Sequence, residues 1–481
     1  MSIKLISRYV GIALVFEAIF MFLSVGVSVI YDTDAGFTPL LISGMITLLF
    51  GGFPLIFVHS SGNINLKEGF AVMVFSWVLS CIFGMFPYLL YGGEFTLINA
   101  WFESVSGITT TGATILTDVE ALPPSMLFWR SSTHYIGGIG VVIFMLMLLP
   151  SSSLRTRMYK IEVSVLSKEN YQYKTQQSVR IIGSVYVILT VVTLVALVIA
   201  GMPIFDAINH AFSIVATGGL STKNLSIAHY QSPAIEWVCA VMLVICSLHF
   251  GLLYLTVAKR SLKMFKSPII RFYLGSLLVV TVLVMLDLRW EGVAGSWSEA
   301  FRFASFQTIS LASTTGLANT DTSQWPLFSI FLLMYVSIQC ACSGSTTGGI
   351  KVDRVWILWQ SFRGHLRKMI HPNAVIPIKI GSHVVDAEFV SRVFMYVLMY
   401  VAFIFLGSML LSITGLDLMD SLSASVASMG NVGPGFGSCG SLDSFAHFNV
   451  FAKLVLTVQM LFGRLEIFAL LLVFVIFKRN A

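Results

Sequence analysis

Four short glycine-containing turns recur in the sequence, each lying between apolar stretches long enough to form helices. They read TTTGAT around Gly112, ATGGLS around Gly218, STTGLA around Gly316 and GNVGPG around Gly433. Their spacing of about 100 to 120 residues is longer than the repeat of a small solenoid, so each turn marks one larger helix–turn–helix unit. A chain that carries the same loop four times can place all four around a single axis.

The composition assigns these turns to a membrane protein. Of the 481 residues, 56% are hydrophobic and 11% are charged, whereas a soluble domain has roughly 25% charged residues. Apolar stretches of about 20 residues recur along the whole chain, each long enough to cross a bilayer core. The first stretch contains Glu17 and has no small-residue cleavage pattern after it, so we expect no cleavable signal. We predict an all-α polytopic membrane protein with about ten transmembrane helices.

The turns divide the chain into a two-helix N-terminal segment and four modules. In each module a long apolar stretch precedes a segment of about 11 to 14 residues, which is too short to span a bilayer and predicts a re-entrant half-helix. Non-helical backbone at membrane depth is tolerated where it lines a polar cavity. We therefore predict four helix–pore loop–helix repeats around one pseudo-fourfold pore. The predicted units are the N-terminal segment 1–66 and the repeats 67–178, 179–266, 267–386 (with a broken second helix and a cytoplasmic loop) and 387–481.

Basic residues cluster on one side of the predicted membrane. The positive-inside rule makes that side cytoplasmic, together with both termini. The net charge of +6 is then a topological signal, and no basic surface interleaved with aromatic residues indicates a nucleic-acid partner. The six cysteines lack metal-ligand spacing, so we expect them to pack in the interior. The basic clusters are Lys4 and Arg8; Arg155, Arg157 and Lys160; Lys259, Arg260, Lys263 and Lys266; Lys351, Arg354, Arg363, Arg367 and Lys368; and Lys478 and Arg479.

The glycine turns suit the binding of a bare monovalent cation. Glycine allows positive φ, so successive carbonyls can point toward one axis, and rings of backbone carbonyls replace the hydration shell of an ion in potassium filters. A single glycine of this kind is more often a helix C-cap, but four in the same setting favour a filter. Side chains that can hold the turns or add oxygens belong to Thr110, Thr111, Thr217, Thr314 and Thr315, and Asn431 takes this place in the fourth turn.

Arg464 lies deep inside an apolar stretch, LVLTVQMLFGRLEIFALLLVFVIF. A charge at such depth is expensive and normally faces a bundle interior or an aqueous cavity. Glu466 is two residues away, so it does not share a helix face with Arg464 and is a poor partner within the helix. Two interpretations remain open. Either Arg464 forms a positive barrier beneath the filter, or it ties its helix to a neighbouring acid or to carbonyls and has no role in transport.

The run CSGSTTGGIK interrupts what would otherwise be one long helix. It is not a phosphate loop, because Ile350 occupies the lysine position of that motif and no Ser or Thr follows Lys351. A glycine-rich run inside a pore-lining helix predicts a flexible intramembrane loop, with a static kink as the alternative. The residues concerned are Gly344, Ser345, Thr346, Thr347, Gly348 and Gly349.

The remaining polar residues give no support for catalysis. The nine histidines are scattered, and no nucleophile is spaced with a base and an orienting group. The longest polar connection, Arg363–Asp386, is well placed to contact a soluble partner. We therefore expect a transporter and not an enzyme.

The four turns, the SGSTTGG break and the FGRLEIF segment together resemble the TrkH family, the membrane subunits of bacterial Trk potassium uptake systems within the Trk/Ktr/HKT superfamily. The similarity covers essentially the whole chain. It implies that potassium is held by backbone carbonyls and that the SGSTTGG run and Arg464 close the path below the filter. Sodium-preferring relatives carry serine at the first filter glycine, so Gly112 favours potassium. The implied filter residues are Thr110, Thr111, Gly112, Ala216, Thr217, Gly218, Thr314, Thr315, Gly316, Asn431, Val432 and Gly433.

The resemblance also implies an assembly. Family members are homodimers in the bacterial inner membrane and bind a cytosolic, nucleotide-binding TrkA ring, so we expect no organic cofactor on this chain. A proton- or sodium-coupled potassium symporter is the nearest alternative, with Glu17, Glu103 or Glu466 carrying the coupling ion. A membrane enzyme or a structural scaffold is a more distant one.

Overall fold

Helices form nearly all of the regular structure, because a bilayer core offers no water to pair with backbone N–H and C=O groups. The computed structural model describes residues 2–59, 65–147, 175–258, 263–373, 376–380 and 383–479. Of the predicted basic clusters, Arg155, Arg157, Lys160, Lys259 and Arg260 lie outside the described residues. In the part of the chain described, β-structure is limited to an antiparallel pair of two-residue strands, β1 (Lys379–Ile380) and β2 (His383–Val384).

Nineteen α-helices are found in the described ranges. They are α1 (Ile3–Ile30), α2 (Phe37–Phe57), α3 (Leu66–Gly84), α4 (Phe86–Tyr91), α5 (Leu97–Ile108), α6 (Pro124–Met147), α7 (Thr175–Ile199), α8 (Ile204–Ala216), α9 (Pro233–Cys246), α10 (Phe250–Ala258), α11 (Lys263–Lys266), α12 (Pro268–Trp290), α13 (Trp297–Ala312), α14 (Leu327–Gln339), α15 (Val352–Ile370), α16 (Ala387–Ser412), α17 (Leu418–Gly430), α18 (Val450–Leu465) and α19 (Ile467–Arg479).

The helices form an N-terminal pair followed by four repeats. Each repeat has a first helix (α3 with α4, α7, α12 and α16), a half-helix (α5, α8, α13 and α17) and a second helix (α6, α9 with α10, α14 with α15, and α18 with α19). Six described helices are each long and apolar enough to cross a membrane, and they are the N-terminal pair and the four first helices. Two of the predicted repeat boundaries fall inside helices, because α3 begins at Leu66 and α7 at Thr175.

The second helices of three repeats are bent or broken. The second helices of the second and fourth repeats each turn by 102°, at the breaks between Cys246 and Phe250 and between Leu465 and Ile467. The later bend lies at Glu466, where φ is +62°. The earlier bend is held by a bond from another repeat, as Phe250 N donates to Gly344 O at 3.0 Å. In the third repeat, α14 ends at Gln339 and α15 begins at Val352.

The four repeats close into a ring. Each half-helix packs against the second helix of its own repeat and also against the second helix of the repeat before it. Thus α6 contacts α8, α9 contacts α13, α14 contacts α17, and α18 returns to contact α5. This cyclic packing places the ends of the four half-helices at one centre. The N-terminal pair lies outside the ring, with α1 packed on α2, α3 and α6.

Candidate functional site

The backbone of the four glycine turns is the same in every repeat. At the end of each half-helix, one N–H donates to a carbonyl three residues back and the next donates to a carbonyl five residues back. The first residue of each pair has a φ between 53° and 57°, the left-handed conformation that ends many helices. The pairs are Thr110 and Thr111, Thr217 and Gly218, Thr314 and Thr315, and Asn431 and Val432.

These shared bonds fix the register of the turns. The glycine that follows each pair also has positive φ, with values of 86° at Gly112, 93° at Gly219, 73° at Gly316 and 98° at Gly433. For the second turn the sequence prediction was Ala216, Thr217 and Gly218, which is one residue too early. Ala216 is the last residue of its half-helix, and Gly219 was missed. The available signal was the Thr or Asn that lies two residues before each ring glycine.

The four ring glycines contact one another in a cycle. A Cβ added to Gly112 would overlap the carbonyl oxygen of Gly218, and one added to Gly219 would overlap that of Thr315. In the same way a Cβ on Gly316 would overlap Val432 O, and one on Gly433 would overlap Thr111 O. Each carbonyl oxygen therefore lies against the glycine of the neighbouring turn. Only glycine allows the four backbones to approach this closely around one axis.

Polar side chains hold the chain as it leaves each turn. Glu103 of the first half-helix accepts a bond from Ile115 N at 3.1 Å, and its carboxylate pairs with Arg130 at 2.9 Å. Asp206 accepts from Thr222 Oγ1 at 2.6 Å. Glu103 and Arg130 are both fully buried, so the ion pair replaces the solvation that each charge loses. Sequence reasoning missed Arg130, since nothing near it in the sequence marks its partner 27 residues away.

A cavity of about 270 Å³ adjoins the ring on one side. Its walls include Gly112, Gly219, Gly316 and Pro434, so residues from all four turns reach it. Asp443 also lines it, and partial desolvation together with the nearby Asp321 carboxylate raises the pKa of Asp443. The cavity therefore opens onto the ring glycines from this side.

The SGSTTGG run lies against the other side of the ring. Thr346 Oγ1 donates to Val215 O at 3.1 Å and contacts Thr217 Oγ1 at 3.2 Å. Gly348 N donates to Thr314 Oγ1 at 3.1 Å. A Cβ on Gly348 would lie 2.6 Å from Gly430 O. The run therefore touches the second, third and fourth turns directly below the ring glycines. Ser345 and Thr347 bond to each other at 2.8 Å, and Gly344 and Gly349 have positive φ.

Arg464 reaches the same run from the fourth repeat. Its Nη1 donates to Thr346 O at 2.7 Å and its Nη2 donates to Gly137 O at 3.1 Å. The guanidinium also lies over the Trp77 ring, with 5.7 Å from Cζ to the ring centroid. The side chain is buried, and none of the ion pairs found in the described ranges includes it. The structure thus places the Arg464 guanidinium against the Thr346 carbonyl. Carbonyl groups hold the guanidinium, and no carboxylate of the described chain pairs with it.

Glu466 pairs with a residue of another repeat. Because the helix bends at this residue, its carboxylate turns away from Arg464 and accepts from Arg354 Nη2. Arg354 belongs to α15, just after the broken segment, and its Cζ lies 3.8 Å from the centroid of the Tyr396 ring. The pair joins the second helix of the third repeat to the second helix of the fourth repeat. Sequence reasoning missed Arg354 as a partner, since it lies 112 positions away.

Other ligand sites were not expected from the sequence. In the described ranges, no cluster of three or more His, Cys, Asp or Glu residues could hold a metal ion. All six cysteines are buried and unpaired.

Comparison with known proteins gives a consistent assignment. The TrkH family model, described as a cation transport protein, matches residues 38–480. The chain is similar to the Trk system potassium uptake protein TrkH of Salmonella typhimurium, with 34% identity over 98% of this chain and 99% of the relative, and to that of Escherichia coli K12, with 33% identity over the same shares. The crystal structure of the potassium transporter TrkH from Vibrio parahaemolyticus superimposes with a TM-score of 0.89 at 31% identity, covering 98% of each chain. The chain therefore belongs to the TrkH family of cation transport proteins.

Proposed function

We propose that this protein is the potassium-translocating membrane subunit of a Trk-type uptake system, and that ions pass through the ring formed by the four turns. The cycle of glycine–carbonyl contacts is the observation that carries the proposal, because it supplies four inward-packed backbones around one axis. The names of the relatives, Trk system potassium uptake proteins, support potassium as the ion. The family consists of transport proteins and not enzymes.

Selectivity comes from the carbonyls of the ring. Those of Thr111, Gly218, Thr315 and Val432 lie at equivalent positions, each against a neighbouring glycine. Such a set can replace the water molecules around a potassium ion. Thr110 Oγ1 is buried and has no hydrogen-bond partner in the described chain, so it can add a further oxygen ligand below the ring.

Control of flow comes from the SGSTTGG run and Arg464. The run occupies the space beneath three turns, and Arg464 is bonded to it through Thr346 O. A positive charge at this level opposes the passage of a cation. An ion can then pass only when the run and the guanidinium move away together.

The exposed basic charge supports the orientation of the chain and a cytoplasmic docking face. Helix α15 presents Arg363, Arg367 and Lys368 on its surface, which the positive-inside rule assigns to the cytoplasm. We propose that both termini are cytoplasmic, that the protein is a homodimer in the bacterial inner membrane, and that a TrkA-type ring, which carries the regulatory nucleotide, docks on the cytoplasmic face.

The central test is replacement of a ring glycine. Gly316→Ala places a Cβ over Val432 O at a φ of +73°, so we expect the ratio of rubidium to sodium flux in proteoliposomes to fall by about tenfold or more, a change of at least 1.4 kcal/mol. Gly275→Ala is the matched control, since it lies on the first helix of the same repeat and its Cβ would meet nothing within 4 Å. Unchanged flux and selectivity in folded Gly316→Ala would exclude the ring as the ion path.

A further inference from the structure

The second helix of the first repeat runs beside the second turn. Arg130, His134 and Gly138 are spaced four residues apart on α6 and so share one helix face. Arg130 Nη1 donates to Ser221 O at 3.3 Å. At the other end, a Cβ on Gly138 would lie 2.9 Å from Ala216 Cα. This face of α6 therefore follows the second turn along its whole length, with His134 at the middle.

His134 fills the place that a side chain would take at Gly218. A Cβ added to Gly218 would overlap Nδ1 and the ring carbons of His134. The equivalent residues in the other three turns are Thr111, Thr315 and Val432, all of which are β-branched. The second turn is thus the one in which the residue before the ring glycine has no side chain, and an imidazole from another repeat occupies the space.

A hydrogen-bond chain joins the same imidazole to the ring glycine. Gly219 N donates to Ser213 Oγ at 2.9 Å, and Ser213 Oγ lies 3.4 Å from His134 Nδ1. The serine hydroxyl uses one lone pair to accept from the glycine, so its own proton is available for Nδ1. His134 is fully buried, which keeps water from competing for these bonds.

The other turns are held in different ways. Residues equivalent to Ser213 are Ser106, Ser310 and Ala427. Ser310 Oγ donates to Leu317 O at 2.6 Å within its own repeat, and alanine has no hydroxyl. The second turn has two consecutive glycines, and glycine leaves the backbone the most conformational freedom. This turn therefore has the greatest need for support from outside.

We infer that His134 is a positioning residue for selectivity, which holds the Gly218 carbonyl in the ring by packing on Gly218 and by accepting from Ser213. The inference rests on the proposed function of the ring. It explains why the second turn reads Thr-Gly-Gly whereas the first and third read Thr-Thr-Gly. In the first and third turns, the second threonine stiffens the turn from within. In the second turn, His134 on the neighbouring helix α6 takes that role.

The test is a compensation experiment on the rubidium-to-sodium flux ratio in proteoliposomes. His134→Ala empties the space and removes the acceptor, and Gly218→Thr forces a side chain into the occupied space; we expect each to lower the ratio by about tenfold, the scale of one buried hydrogen bond. The double variant His134→Ala/Gly218→Thr recreates the Thr-Thr-Gly turn and should recover most of the ratio. His134→Gln keeps an acceptor and should lie close to the natural protein.

Controls distinguish failure of this inference from failure of the proposed function of the ring. Tyr135→Phe alters the next residue of α6, whose hydroxyl bonds to Thr190, and should leave the ratio unchanged. If His134→Ala keeps the natural ratio while Gly316→Ala loses it, the positioning role is wrong and the ring stands. If neither variant changes the ratio, the ring itself is wrong. A double variant that is no better than its parents, or that is worse, would also overturn the complementarity of His134 and Gly218.

Discussion

The hydrogen bonds of Arg464 do not neutralise its positive charge. A buried guanidinium is usually matched by a carboxylate, yet here it donates to the carbonyls of Thr346 and Gly137. Carbonyl dipoles accept from Nη1 and Nη2, while Nε is buried without a hydrogen-bond partner in the described chain, and such dipoles cancel only part of the net charge. Under the proposed function, a cation below the ring would meet a repulsive field. The sequence left open whether Arg464 is a barrier or a structural tie, and its bonds to carbonyls fit both interpretations.

Replacing Arg464 with alanine distinguishes the two interpretations. We expect basal rubidium flux, measured in proteoliposomes without the cytosolic partner, to rise by about tenfold or more, because a unit charge a few ångströms away costs a few kcal/mol at an effective dielectric constant of about 20. Arg464→Lys keeps the charge but loses the contact with two carbonyls. Its flux should therefore lie between that of the natural protein and that of Arg464→Ala. Equal or lower flux in folded Arg464→Ala would make the residue a structural tie.

At the level of elements, sequence patterns predicted what depends on local composition. The half-helices follow from short apolar segments that end in glycine turns, and the interruption between α14 and α15 coincides with a run of six Gly, Ser and Thr residues, 344–349. The bends near Phe250 and Glu466 could not be predicted, because they depend on bonds to other repeats. The register of the second turn was predicted one residue early because two adjacent glycines, Gly218 and Gly219, fit the same pattern. Only the backbone bonds of the half-helix decide between them.

The Arg354–Glu466 pair links two broken helices beside their break points. Glu466→Gln removes the carboxylate and leaves the Arg354 guanidinium largely buried without its partner, a change that costs about 3 kcal/mol for a buried pair. We expect a clear fall in the apparent melting temperature of the detergent-solubilised protein. Glu388→Gln is the control, since the Glu388–Arg392 pair has its carboxylate 84% exposed and exposed pairs contribute little.

The double variant Arg354→Gln/Glu466→Gln tests whether the two residues act as a pair. Removing both charges should restore much of the stability that the single change loses, since no unpaired charge then stays buried. If Glu466→Gln melts like Glu388→Gln, the pair does not contribute to holding the helices together.

At the scale of the whole molecule, the cavity, the glycine ring and the SGSTTGG run lie one after another within the closed ring of repeats, and we propose this line as the ion path. The three acids that a coupled symporter was predicted to use lie to the side of this path or are already paired. Glu103 pairs with Arg130 and Glu466 with Arg354. Glu17 lies in the N-terminal helix pair, outside the ring, where no ion pair of the described chain includes it. Its Oε1 would lie 3.0 Å from a Cβ on Gly84 of the first repeat.

Of these three acids, Glu17 is therefore the one without an ion-pair partner in the described chain, and it is the first to test for coupling. A fully buried carboxyl group with no cation partner is much less costly when neutral, so Glu17→Gln preserves its shape and its lack of charge. We expect this variant to keep the natural rubidium flux, and single-channel currents of both proteins to reverse at the potassium equilibrium potential over a range of pH and sodium concentration. A reversal potential that moves with the proton or sodium gradient, and that loses this dependence in Glu17→Gln, would establish coupled symport in place of passive flow.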